Sequence, residues 1–183
     1  MTFRTVLRDS TRPEHDQLDD MIGALNISDR DAFACFVNLH IICFQTMSEA
    51  AEKGSYSHEL LCQMVHSLAL DLDELGAKQL AYVVPLPKIS DPLAIDYLVA
   101  GSRLGTKVLK KRWSNSNDLI VCRANKYFSL DSDPSFWPST CQALANVAPE
   151  SARAKAIVQD TKSLFQLFLT VYKGAMNNNA MVP

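Results

Sequence analysis

Glycine is scarce in this chain. Six occur in 183 residues, which leaves little of the turn chemistry that a sandwich or barrel of many short strands requires. Long hydrophobic runs are missing too. Apolar stretches such as Ile41-Ile42-Cys43-Phe44 fall far short of the roughly 20 residues that span a bilayer as a helix. No membrane association is expected. The opening Met1-Thr2-Phe3-Arg4 becomes charged at once and carries no apolar stretch before a small-residue cleavage site, so a cytoplasmic location is the expectation.

Neither sign of charge dominates. Eighteen Lys and Arg stand against 20 Asp and Glu, for a formal net charge of -2, and so no global footprint for nucleic acid exists. The local cluster of Lys107, Lys110, Lys111 and Arg112 reads as a solvated helix end. The five cysteines, Cys35, Cys43, Cys62, Cys122 and Cys141, are odd in number and contain no CxxC pair. Reduced thiols fit them better than a disulfide framework or a structural zinc site. Internal repeats and low-complexity linkers are also lacking, and the length suits one buried core.

What is present is helical. Apolar residues recur at spacings of three and four among good helix formers, so the chain is expected to be an all-α single domain over residues 1–183, with about 177–183 as a flexible tail. A first helical region covers about Thr5 to Leu25, and Pro13 either opens a second segment after Thr11 or kinks one helix. A second helix, capped by Ser28 or Asp29, runs to Lys53 with Gly54 as its stop. It is apolar on more than one face and therefore central. A third runs from Ser57 to Leu75 and ends at Gly76. Asp91-Pro92 opens a fourth that reaches about Trp113. The run Leu119 to Tyr127 is ambiguous between strand and helix, while Phe136 to Val147 and Glu150 to Gly174 are the last two helices.

The fourth helix carries Gly101 and Gly105 in its interior, each costing about 1 kcal/mol relative to alanine. Their spacing places both on one face. Tight helix packing is one reason for such a pair, and a bare backbone wall against a flat ligand is another. The first helix carries His15 just after Pro13, with Arg8 seven residues before it on the same face if the helix is unbroken. His40, His58 and His66 lack an acid three or four positions earlier, so the Glu-x-x-His pattern of di-iron helical proteins is missing. They read as packing or surface residues. Arg103 lies off the glycine face and reads as a salt-bridge residue.

The run Leu7-Arg8-Asp9-Ser10-Thr11-Arg12-Pro13-Glu14-His15-Asp16-Gln17-Leu18-Asp19 resembles the proximal-helix motif of bacterial haem oxygenases, particularly those associated with bacteriophytochromes. Further similar segments follow in the same order: Asp71-Leu72-Asp73-Glu74-Leu75-Gly76, then Tyr97-Leu98-Val99-Ala100-Gly101-Ser102-Arg103-Leu104-Gly105, then Phe136-Trp137-Pro138. The resemblance implies a haem-oxygenase-like fold and oxidative opening of haem to biliverdin, with release of carbon monoxide and ferrous iron. Haem would be both substrate and cofactor, and a reductase or ferredoxin would supply electrons. His15 would be the axial ligand, Arg8 would meet a propionate, and Gly101 and Gly105 would lie against the macrocycle. Ser102 would organise a distal water network. Thr106 stands in the cofactor-binding wall where the family pattern carries the second of two adjacent glycines. That departure motivates an alternative, a non-catalytic sensor or partner-binding regulator on the same fold, either as a homodimer or with a regulatory protein.

Overall fold

The computed structural model describes the backbone of residues 1–177 and the side chains through residue 174. Among these residues the regular structure is entirely helical. Five long helices form the body: α1 (Phe3–Ala24), α2 (Arg30–Ala50), α3 (Tyr56–Glu74), α4 (Leu93–Trp113) and, after three short elements, α8 (Ala152–Asn177). The short ones are α5 (Leu119–Arg123), α6 (Lys126–Ser129) and α7 (Phe136–Ala145). The ambiguous stretch from Leu119 to Tyr127 is therefore helical, split where Ala124 and Asn125 leave helical geometry. Asn177, expected in the tail, belongs to α8; residues 178–183 lie outside the described part. No helix among the described residues is long and apolar enough to cross a membrane.

Local chemistry sets the boundaries. Asp29 accepts hydrogen bonds from the amides of Asp31 and Ala32 and so caps α2, and Ser55 accepts from His58 at the start of α3. Gly54 and Gly76 follow the ends of α2 and α3 with φ of 82° and 67°, the left-handed region that glycine occupies without a Cβ penalty. Pro13 does not break α1, which runs unbroken from Phe3 to Ala24. The proline costs that helix one amide donor toward the carbonyl four residues back.

Helix α2 is the centre. Every residue from Phe36 to Phe44 is buried, two and a half turns with no solvent face, because α3 packs on one side and α8 on another. Two polar residues fall inside that stretch. Asn38 is fully used: its amide donates to the carbonyls of Ala34 and Lys78 and its oxygen accepts from the Leu80 amide. It thereby pins the irregular segment that follows α3. His40 is the other. Outside this centre, α1 packs on α8 and α7, and α4 packs on α7 and α8.

Candidate functional site

Between α1 and α4 the packing leaves a cavity of about 700 Å³, within the ordinary range of small-molecule sites. Its α1 wall runs from Arg8 through Thr11, Arg12 and His15 to Ile22 and Gly23, and its α4 wall from Tyr97 through Gly101, Ser102 and Gly105 to Arg112. Phe165 and Phe168 of α8 close one side, Trp137 of α7 another, and His40, Phe44 and Tyr127 form the floor. The two helices run in the same direction. Tyr97 lies within electrostatic reach of Arg8 and Arg4 at one end, and Arg112 donates to the carbonyls of Gly23 and Leu25 at the other, at 3.0 and 2.6 Å.

All six residues singled out in the sequence, Arg8, His15, Gly101, Ser102, Gly105 and Thr106, line this one cavity. Their side chains differ in readiness. His15 is half exposed, its Nδ1 3.3 Å from Asp19 Oδ2 and 3.6 Å from Asp16 Oδ1, while its ring meets Phe165 edge-on at 5.7 Å. The Asp19 and Asp16 carboxylates stand beside Nδ1, which leaves Nε2 as the nitrogen turned to meet a metal. Arg8 reaches the cavity wall but holds Asp9 at 3.0 Å. Ser102 donates to the Val99 carbonyl at 2.8 Å, so toward the cavity its hydroxyl can only accept.

The two glycines separate. A Cβ on Gly101 would meet the Trp137 ring at 3.8 Å, an ordinary packing distance, whereas a Cβ on Gly105 would find nothing within 4 Å. Helix packing therefore does not account for Gly105, which opens onto the cavity. Gly105→Ala is expected to raise the stability of the ligand-free protein by about 0.5–1 kcal/mol through helix propensity. A urea midpoint that moves down instead would show that something does approach residue 105. Thr106 turns its hydroxyl to the Ser102 carbonyl at 2.9 Å and lies 3.4 Å from the Tyr127 hydroxyl, so its bulk is drawn toward the floor.

Arg103 is a correction. It takes part in none of the ion pairs among the described residues; it donates to the Leu130 carbonyl at 2.6 Å and lies over the Tyr127 ring at 5.3 Å. The segment from Asp71 to Gly76 is not in the cavity wall but supports it. The buried Asp71 carboxylate accepts from the amides of Lys126 and Tyr127 at 2.7 and 2.9 Å, which sets Tyr127 at the floor.

His40, which the sequence places among the packing or surface residues, is buried and also lines the cavity floor. It is 7% exposed and enclosed by the rings of Phe36, Phe44, Tyr127 and Phe168. Its Nδ1 lies 2.7 Å from the Phe36 carbonyl, which can only accept, so the hydrogen sits on Nδ1 and Nε2 is unprotonated. Burial holds its pKa down to about 4, against a partial opposing pull from the Phe36 carbonyl. The available signal was its place in the most apolar helix of the chain, where a polar ring must have a reason to stay. No model of a known protein family, no curated protein and no solved structure matches this chain.

Proposed function

We propose that the chain binds haem between α1 and α4 and opens it oxidatively, as a haem-oxygenase-like protein. The observation that carries the reading is the convergence, on one cavity, of two segments some ninety residues apart that were singled out for complementary reasons. The residues fit the group. His15 offers an imidazole whose Nδ1 lies beside the Asp19 carboxylate, the Gly105 backbone leaves a bare stretch of wall on α4, and the enclosing side chains are largely apolar. Arg8 and Arg12, which share Asp9, are the rim cations that a ligand carboxylate would recruit, while Arg112 is committed to the α1 carbonyls.

Bound there with electrons from a reductase or ferredoxin, haem supplies the iron at which dioxygen reacts. The chain's own part is to hold and orient. His15 would hold haem from α1, Gly101 and Gly105 would leave room for it along α4, and Ser102, whose hydrogen is given to Val99, would accept a hydrogen bond from water there. Phe165, Phe168 and Trp137 cover the inner sides of the site, while its His15 side stays open to solvent. A second reading, a haem-holding sensor without catalysis, draws on Thr106, whose side chain occupies wall that the family pattern leaves bare.

A visible-spectrum time course of the purified protein with one equivalent of haem, in air with a reductant, tests both. Catalysis predicts a sharp bound-haem band that decays into biliverdin absorption, with His15→Ala losing the band. A bound band that persists selects the sensor. A spectrum identical to free haem throughout rejects haem binding and both readings with it.

A further inference from the structure

The neutral polar side chains of the inner cavity have already given away their hydrogens. Thr11 donates to Leu7, Ser102 to Val99, Thr106 to Ser102 and His40 to Phe36, each to a carbonyl three or four residues back in its own helix. Carbonyls accept only, so the direction of each bond is fixed. With the Thr106 hydrogen spent on Ser102, Thr106 can serve Tyr127 only as an acceptor, and the Tyr127 hydroxyl donates across the 3.4 Å between them. The Tyr127 oxygen then keeps lone pairs, as does His40 Nε2, and the two rings are neighbours at 6.3 Å between centroids. The floor thus offers acceptors without matching donors. Arg8, with Tyr97 and Trp137, belongs to the other end, where Tyr97 and Trp137 pack together at 5.8 Å.

Such a floor discriminates among tetrapyrroles. In haem all four ring nitrogens are bound to iron and carry no hydrogen, so nothing on the macrocycle can donate. Opening the ring and losing the iron leaves a linear tetrapyrrole with ring N–H groups. We infer that His40 Nε2 and the Tyr127 oxygen form a subsite for the N–H groups of an opened, metal-free tetrapyrrole, so that the protein holds product in preference to substrate. The inference rests on the tetrapyrrole reading of the cavity. It makes His40 a specificity residue, in addition to the ligand His15, and sets carboxylates at the cationic rim with N–H groups inside.

Titration of biliverdin and of haem separately into the wild type, His40→Leu, His40→Gln and Tyr127→Phe tests it, with bound absorption as the readout. His40→Leu is expected to weaken biliverdin about tenfold, the scale of one buried donor left unpaired, and haem by less than about threefold. His40→Gln retains an acceptor and should recover most of the biliverdin affinity; Tyr127→Phe should weaken biliverdin selectively as His40→Leu does. Equal losses for both ligands, or no loss, would overturn the subsite without touching the tetrapyrrole reading of the cavity. A wild type that binds haem but not biliverdin overturns it as well. A wild type that binds neither overturns the tetrapyrrole reading itself.

Discussion

Lowering the pH from about 6.5 to about 4 is expected to remove roughly 3 kcal/mol of stability through His40 alone. In the unfolded chain this imidazole takes up a proton near 6.5, whereas burial among four aromatic rings delays it to about 4 in the fold. The unfolded state therefore binds the proton first as pH falls. Stability is full above about 6.5, declines across the interval, and stops declining through this group below about 4. The groups packed on the ring, Phe36 and Phe44 of α2, Tyr127 of α6 and Phe168 of α8, carry no charge that would rescue the imidazolium. Urea unfolding of the wild type and His40→Phe across this range measures the effect as a difference of slopes. Parallel profiles would mean that His40 is solvated through the cavity and titrates as it does in water.

Asp71→Ala should be about as damaging. The carboxylate is fully buried and accepts the amides of Lys126 and Tyr127 at the start of α6; removing it strands two donors, at roughly 3 kcal/mol in all. Burial pushes the Asp71 carboxyl above its usual pKa, against the pull of those two amides, so the negative charge itself is not the asset. The hydrogen bonds are. Asp71→Asn, which keeps one acceptor, is expected to lose less than half as much in a thermal melt. A loss in Asp71→Asn equal to that in Asp71→Ala would show that charge, rather than hydrogen bonding, holds α6.

The long helices were legible because their signals are local. Asp29, Gly54 and Gly76 act within one turn of themselves, and the observed boundaries of α2, α3 and α4 fall within a few residues of those the caps imply. The α1 and α4 walls were legible for a different reason: an interior glycine pair and an imidazole after a proline are costly or unusual where they stand. The floor was not. Tyr127 reaches the cavity because Asp71, fifty-six residues earlier, caps α6, and His40 reaches it because α2 is enclosed on all sides. No periodicity records either relation. Arg103 misled because a cation in an amphipathic helix normally looks for a carboxylate, and here a carbonyl and an aromatic face take that role.

The clasp made by Arg112 has a consequence for the mechanics of the fold. Among the described residues it supplies the side-chain hydrogen bonds between α1 and α4, all to the last turn of α1 and the residue after it. Carbonyls of a last turn lack the usual amide four residues on; those of Ile22 and Leu25 also accept from the amides of Leu25 and Ile27. Farther back the two helices lean on α7 and α8 and face each other across the cavity. They are two leaves bound at one edge, and whatever lies between them takes the place of a helix–helix interface. An occupant that fills the gap adds its binding free energy to that of folding, and its thickness sets how far apart the leaves stand.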